Sequence, residues 1–284
     1  MVSGREEMSV VVNGVRMAYE DRGMGRPVVF VHGYASSSAT WRQVVHVLSD
    51  SYRTVALDLM GFGRSEKPAR QLYTIERQAS LLRGFLAQLE LEDFVLVGHS
   101  YGGGVCLSLL RLDHGLHVRG LSLVDTICYP QSLPTGMRLL RLPVVGSLAL
   151  RLLSAEAVVR YTLRQAYYQP VVLNPELVRA YAEALRSPGG RQAMIETARR
   201  ILPQDVDGLV RSYARISYPT FILWGERDRI IPVALGRRLS GQIPGTASQM
   251  VVLKDCGHVP QEEMPERTAE LLGDFLLRLS PHVV

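Results

Sequence analysis

The sequence predicts an α/β fold in which a mostly parallel central sheet carries helices on both faces and is interrupted by one helical insertion. Three observations carry this. Short apolar runs of strand length recur along the chain, segments of helical period separate them, and the alternation lapses once, between about residues 126 and 216. The chain has 284 residues, 47% hydrophobic and 21% charged, enough for one large domain with a sizeable core.

The fold opens with two short strands, 10–12 and 15–19, joined through Asn13-Gly14, a pair that accepts the positive φ angles of a tight hairpin. The runs 28–31, 54–57, 94–97, 121–124, 221–224 and 250–253 are almost unbrokenly apolar, as strands buried on both faces must be. Helical period marks 41–48, 74–89, 105–112, 233–240 and 265–279. Strand, helix, strand in this order implies right-handed crossovers and a parallel sheet. Between 126 and 216 Leu, Arg, Tyr and Ala dominate, and Pro130, Pro134, Pro143, Pro170, Pro175, Pro188 and Pro203 punctuate short helices. The expected division is a core formed by 1–125 and 217–284 with a helical cap at 126–216.

Composition narrows the class. Net charge is +5, but the arginines are spread along the chain among Asp and Glu, the pattern of a solvated surface and not of a nucleic-acid face. Cys106, Cys128 and Cys256 are too scattered for a disulfide framework or a zinc cluster and read as core residues. No apolar run reaches the ~20 residues of a membrane span and the start lacks the order of a secretory signal, so the expected compartment is the cytoplasm. Residues 137–153 are apolar with arginines and no acid; they read as a lid over an apolar cavity, with peripheral membrane contact as the alternative.

Gly98-His99-Ser100-Tyr101-Gly102 follows one buried strand and opens a helix, the setting in which a serine is held on a strained turn with glycines giving clearance on either side. Such a serine needs a base and an acid to become a nucleophile. His258 follows the strand 250–253 and lies at the same carboxyl edge of the sheet, where open α/β folds place their sites. His46, His114, His117 and His282 sit in helical or flanking surface contexts, and His32 and His99 are bound into glycine turns. For the acid, Asp228 follows the strand 221–224 and Asp125 ends the strand 121–124; both satisfy the order serine, acid, histidine. Backbone N–H donors for a developing oxyanion are available at Tyr101, at the helix start, and at Tyr34, in the turn after residues 28–31.

Taken together, His32-Gly33-Tyr34, the loop from Asp58 to Ser65, Gly98-His99-Ser100-Tyr101-Gly102-Gly103, Trp224-Gly225-Glu226-Arg227-Asp228 and Gly257-His258 resemble the α/β-hydrolase fold superfamily over nearly the whole chain. The resemblance points to its serine-hydrolase branch, carboxylesterase- or lipase-like and capped by helices. It implies Ser100 as nucleophile, His258 as base, Asp228 rather than Asp125 as acid, the amides of Tyr34 and Tyr101 as oxyanion hole, and no cofactor or metal. Asp58 and its glycine loop recur in relatives as a structural turn. Epoxide hydrolases and haloalkane dehalogenases resemble the chain but place aspartate where Ser100 stands.

The expected activity is hydrolysis of small to medium apolar carboxylic esters through an acyl-enzyme, with Tyr161, Tyr167 and Tyr168 among candidates to line the pocket. Carbon-carbon bond hydrolases, lactonases, amidases and cofactor-free perhydrolases share the scaffold, as does the different class of small-molecule receptors with little turnover. Relatives that cleave carbon-carbon bonds often have Asn before the nucleophile and an aromatic after the histidine, where this chain has His99 and Val259.

Overall fold

Asn13 and Gly14 both take positive φ, 47° and 77°, and so turn β1 (Met8–Val12) back against β2 (Val15–Arg22). The computed structural model that shows this describes residues 8–112, 115–169, 175–244 and 249–279. His114, Pro170 and His282 lie outside the described residues.

The remaining strands are β3 (Pro27–Val31), β4 (Arg53–Leu57), β5 (Phe94–His99), β6 (Val118–Val124), β7 (Thr220–Gly225) and β8 (Met250–Leu253). They form one eight-stranded sheet in the order β1-β2-β4-β3-β5-β6-β7-β8. β1 and β2, and β2 and β4, pair antiparallel; every other pair is parallel. β2 runs three residues past the apolar stretch because Glu20, Asp21 and Arg22 still pair with Ala56, Val55 and Thr54 at the sheet edge.

Helices cover both faces. On one face α1 (Arg42–Leu48) and α12 (Pro265–Leu279) bring Val44, Leu48, Leu272 and Phe275 against Val28 and Phe30. On the other, α2 (Ile75–Gln88), α3 (Tyr101–Leu112) and α10 (Val233–Gln242) bring Phe85, Leu109 and Leu239 into the layer that holds Val29 and Val31. Alternate residues of β3 thus bury into opposite layers, which is why its sequence shows no polar face.

Between β6 and β7 the described residues form α4 (Thr135–Arg141), α5 (Pro143–Leu152), α6 (Ala155–Ala166), α7 (Pro175–Arg186), α8 (Gly190–Arg199) and α9 (Val206–Ser212). Leu150, Val159, Leu163, Val178, Leu185 and Met194 from these helices share a third apolar cluster, joined by Val259. Before α12, the helix α11 (Pro260–Glu263) is a single turn shortly after His258. No helix among the described residues is long and apolar enough to cross a membrane.

The chain leaves β3 toward β4 on one side, while β5 lies on the other side of β3. Connections diverging in this way open a crevice at the carboxyl ends of β3 and β5, the place where open α/β sheets bind ligands. The turn holding Tyr34 follows β3 and Ser100 follows β5.

Candidate active site

Ser100 has φ 52°, the left-handed region that costs a side-chain-bearing residue about 1–2 kcal/mol. The main chain holds it there. Its N–H donates to the Val124 carbonyl at 2.9 Å, and its own carbonyl accepts from Gly104 at 3.2 Å and Ile127 at 3.1 Å. A Cβ at Gly98 would lie 2.6 Å from the Gly103 Cα, and one at Gly102 would strike the carbonyls of Val31 and His32. The two glycines therefore serve the close seating of α3 on β5 and β3. That seating also explains why α3 starts at Tyr101 and includes Gly103 and Gly104, which face Thr126 and Ile127, although the periodic pattern suggests a start at 105.

The Ser100 hydroxyl lies 2.9 Å from Nε2 of His258, and Nδ1 of the same ring lies 2.7 Å from Oδ2 of Asp228. A carboxylate opposite Nδ1 selects the tautomer with its proton there, leaving Nε2 to accept from the serine. The other oxygen of Asp228 accepts the amides of Ile230 at 2.7 Å and Ile231 at 2.9 Å. All three side chains are buried. A hydroxyl able to pass its proton to a neutral imidazole backed by a carboxylate has the layout for nucleophilic attack on a carbonyl.

Asp125 stands immediately behind, at the end of β6. It is fully buried, with Oδ1 accepting from the Gly225 amide at 3.0 Å and Oδ2 without a hydrogen-bond partner among the described residues. One oxygen from each aspartate and a nitrogen of His258 lie within 4.8 Å of one another, the one such trio among the described residues spaced for a cation. Both ring nitrogens of His258 are already engaged by Ser100 and Asp228. Burial, with the negative charge of Asp228 beside it, pushes the Asp125 carboxyl well above the usual carboxylate range. It touches Asp228 and not the imidazole bond, so sequence order left two acids and the geometry gives them different places.

The histidines in the glycine turns are braces. His99 Nε2 donates to the His258 carbonyl at 2.7 Å, and the two rings pack with centroids 5.0 Å apart. Burial, with His258 alongside, lowers the His99 pKa and keeps the ring neutral. His32 Nδ1 donates to the Gly33 carbonyl at 2.7 Å and Nε2 accepts from Leu59 at 2.9 Å, fixing the turn that presents Tyr34. The amides of Tyr34 and Tyr101 donate no hydrogen bond among the described residues. Asp58 accepts the amides of Ser38 at 2.7 Å and Arg64 at 2.8 Å, in keeping with a structural turn. His46 and His117 are exposed, and the three cysteines are buried and unbridged.

Two glutamates absent from the sequence argument secure the His258 loop. Glu262 is half-buried and accepts from the hydroxyls of Thr40, Tyr167 and Tyr181. Glu263 accepts the amides of Tyr168 at 2.8 Å, Gly257 at 3.0 Å and Val259 at 3.3 Å. Burial raises both carboxyls above their ordinary value. The partners of Glu262 lie 81 to 222 positions away and Tyr168 lies 95 from Glu263, so no local pattern announces either clasp.

Ser100 and His258 open into a cavity of about 570 Å³ between the sheet edge and helices α4 to α8. No charged side chain lines it among the described residues. Its polar groups are largely taken: the Tyr34 hydroxyl donates to the Met194 carbonyl at 2.9 Å, Gln131 Nε2 to Ile230 at 3.0 Å, Thr162 to Val158 at 3.0 Å, and Tyr181 to Glu262. Of the three tyrosines expected there, only Tyr161 lines the wall. Tyr167 is turned to Glu262, and Tyr168 lies under the Arg227 guanidinium, because both follow the end of α6 where the chain passes the His258 loop. Tyr181, from α7, takes a place on the wall instead.

Comparison with known proteins agrees with this fold. The sequence pattern of the alpha/beta hydrolase family matches residues 28–271. An uncharacterized hydrolase of Bacillus subtilis (strain 168), YugF, is 32% identical over 93% of this chain and 96% of its own. A 2-hydroxymuconate semialdehyde hydrolase of Pseudomonas sp. (strain CF600) is 31% identical over 96% of this chain and 93% of its own. Among solved structures, a thermophilic esterase from Thermogutta terrifontis superposes with TM-score 0.81 at 26% identity, covering 97% of this chain and all of the esterase.

Proposed function

The chain belongs to the alpha/beta hydrolase family, and from that premise we propose that it is a serine hydrolase that cleaves apolar carboxylic esters through an acyl-enzyme. Ser100 is the nucleophile, His258 the base, Asp228 the acid that orients it, and the amides of Tyr34 and Tyr101 receive the oxyanion. The helices α4 to α9 act as the cap over the acyl site.

In the first half-reaction the Ser100 oxygen attacks the ester carbonyl as His258 Nε2 takes its proton. The imidazolium that forms is stabilised by Asp228, whose charge is held by the amides of Ile230 and Ile231. Collapse of the tetrahedral intermediate expels the alcohol, which takes the proton back from His258. Water then attacks the acyl-enzyme by the same route and releases the acid.

The observation that carries the ester reading is an uncharged, largely self-satisfied cavity joined to the Ser100 hydroxyl. An apolar acyl or alcohol group loses nothing by burial there, whereas an anionic substrate would face no cation among the described lining residues. A second reading follows the Pseudomonas relative, named for hydrolysis of a semialdehyde. Its muconate substrate bears carboxylate, and the uncharged lining weighs against that substrate here.

Hydrolysis of p-nitrophenyl esters of rising acyl length tests the proposal. Turnover should increase beyond acetate and vanish in Ser100→Ala with the fold retained. Activity confined to vinylogous diketone acids, or surviving loss of the hydroxyl, would refute it.

A further inference from the structure

The outer face of α4 and α5 is apolar and uncovered. Leu139, Leu142, Val144, Val145, Leu148 and Leu152 are all exposed, Val144 at 74% and Leu152 at 76%. Along α5, positions 144, 145, 148 and 152 fall within about 100° of the helix circumference, so they form one stripe. The opposite side of α5 is spent inward, with Leu150 buried and Gly146 packed on the Leu140 backbone. A stripe of this kind on a protein surface marks an interaction site.

Its rim is basic and unpaired. Arg138, Arg141 and Arg151 flank the leucines, and none forms an ion pair among the described residues. No acid occurs between residues 126 and 155, and the next one, Glu156, is engaged by Arg186. The same wall is continuous with the cavity: Leu139, Leu153 and Tyr161 are exposed on the outside and line the space above Ser100 on the inside.

We infer that this face docks on an anionic lipid surface and that the ester hydrolysed is a single-chain amphiphile drawn from that surface into the cavity. The second half rests on the ester-hydrolase reading; the docking does not. Exposed aliphatic side chains enter the headgroup boundary while the arginines meet lipid phosphates, the division of labour of an interfacial helix. A second copy laid face to face would set the same arginines against one another with no carboxylate between them.

The test uses the full-length Ser100→Ala protein, so binding is read without turnover, in co-sedimentation at low salt with vesicles of mixed phosphatidylcholine and phosphatidylglycerol. It should sediment with these and not with phosphatidylcholine alone. Adding Val144→Glu and Leu152→Glu should weaken binding about tenfold or more, and in the Ser100 background should leave hydrolysis of a short soluble ester unchanged. Failure to sediment with the anionic vesicles overturns the docking, as does undiminished binding by the double variant. A dimer of the parent protein in light scattering, abolished by the same two changes, overturns it in favour of a second copy. Vesicle binding without turnover of any ester would refute the proposed function and leave the docking intact.

Discussion

The backbone N–H of His258 donates to the carbonyl of Ala166 at 2.7 Å. The residue proposed as base is therefore held by the last turn of α6 as well as by its own loop. Any slackening of the inserted helices is transmitted to the imidazole through one main-chain bond.

Glu263 extends that fastening, since it gathers the amides of Gly257, Val259 and Tyr168. Glu263→Ala leaves the N–H groups of Gly257, Val259 and Tyr168 among those short of a partner, each costing about 1 kcal/mol or more where it stays buried. Stability in urea should fall by roughly 3 kcal/mol, and kcat should drop more than KM rises because the base is less well placed. An unchanged kcat in a destabilised protein would separate the clasp from the chemistry.

The two aspartates should respond differently to the same change. Asp228→Asn removes the charge opposite Nδ1 and should lower kcat by roughly 10⁴, the scale of losing the orienting acid of such a triad. Asp125→Asn preserves the side chain's size and the acceptor for the Gly225 amide and should cost no more than about tenfold. Steady-state rates on one activated ester decide this, and the reverse ranking would make Asp125 the acid.

Asp125 also sets a pH dependence of stability. Its folded-state pKa is raised by burial and by Asp228, so above the ordinary carboxylate value of about 4 the folded state binds more protons than the unfolded chain. The stability tied to this group is full below that value and is lost as pH rises through the folded one. His99 and His32 act with the opposite sign, because burial lowers their values and stability is lost as pH falls through the unfolded value. Comparing wild type with Asp125→Asn cancels the histidines. The advantage of the variant should grow steadily as pH rises from about 4 in paired urea titrations; a constant difference would contradict the assignment.

Gly102→Ala should be more damaging than its size suggests. The added methyl meets the Val31 and His32 carbonyls, and main-chain oxygens cannot rotate away as side chains do. A loss of about 1–3 kcal/mol in thermal or urea unfolding is expected, with little soluble active protein. Gly14→Ala, where a Cβ meets nothing within 4 Å, provides the comparison, since its cost comes from positive φ alone.

How far the molecule can be read from its residues depends on the range of the contacts. Residues 28–31 and 94–97 are recognisable as strands because both faces are buried, and Asn13-Gly14 because its turn demands positive φ. Ser100, Asp228 and His258 were candidates through their positions at strand ends, a local property. The positions of Tyr167 and Tyr168 depend instead on where the end of α6 meets the His258 loop, about 90 residues away in sequence. In α5 aliphatic side chains at helical spacing face outward, a placement that spacing alone does not distinguish from a core. At the start of α3, Gly102 lies within the helix where it sits close to β3, a fit that the apolar period from 105 onward does not mark.

The turn at Ser100 is defined by main-chain bonds to Val124, Gly104 and Ile127, and none of them involves the hydroxyl. Position and reactivity are thus specified by separate atoms. An aspartate or cysteine exchanged at 100 inherits the same aim toward the cavity, and the backbone cost of left-handed φ has already been met by the neighbours. A scaffold organised this way fixes where the side chain at 100 points and leaves its chemistry to the side chain itself.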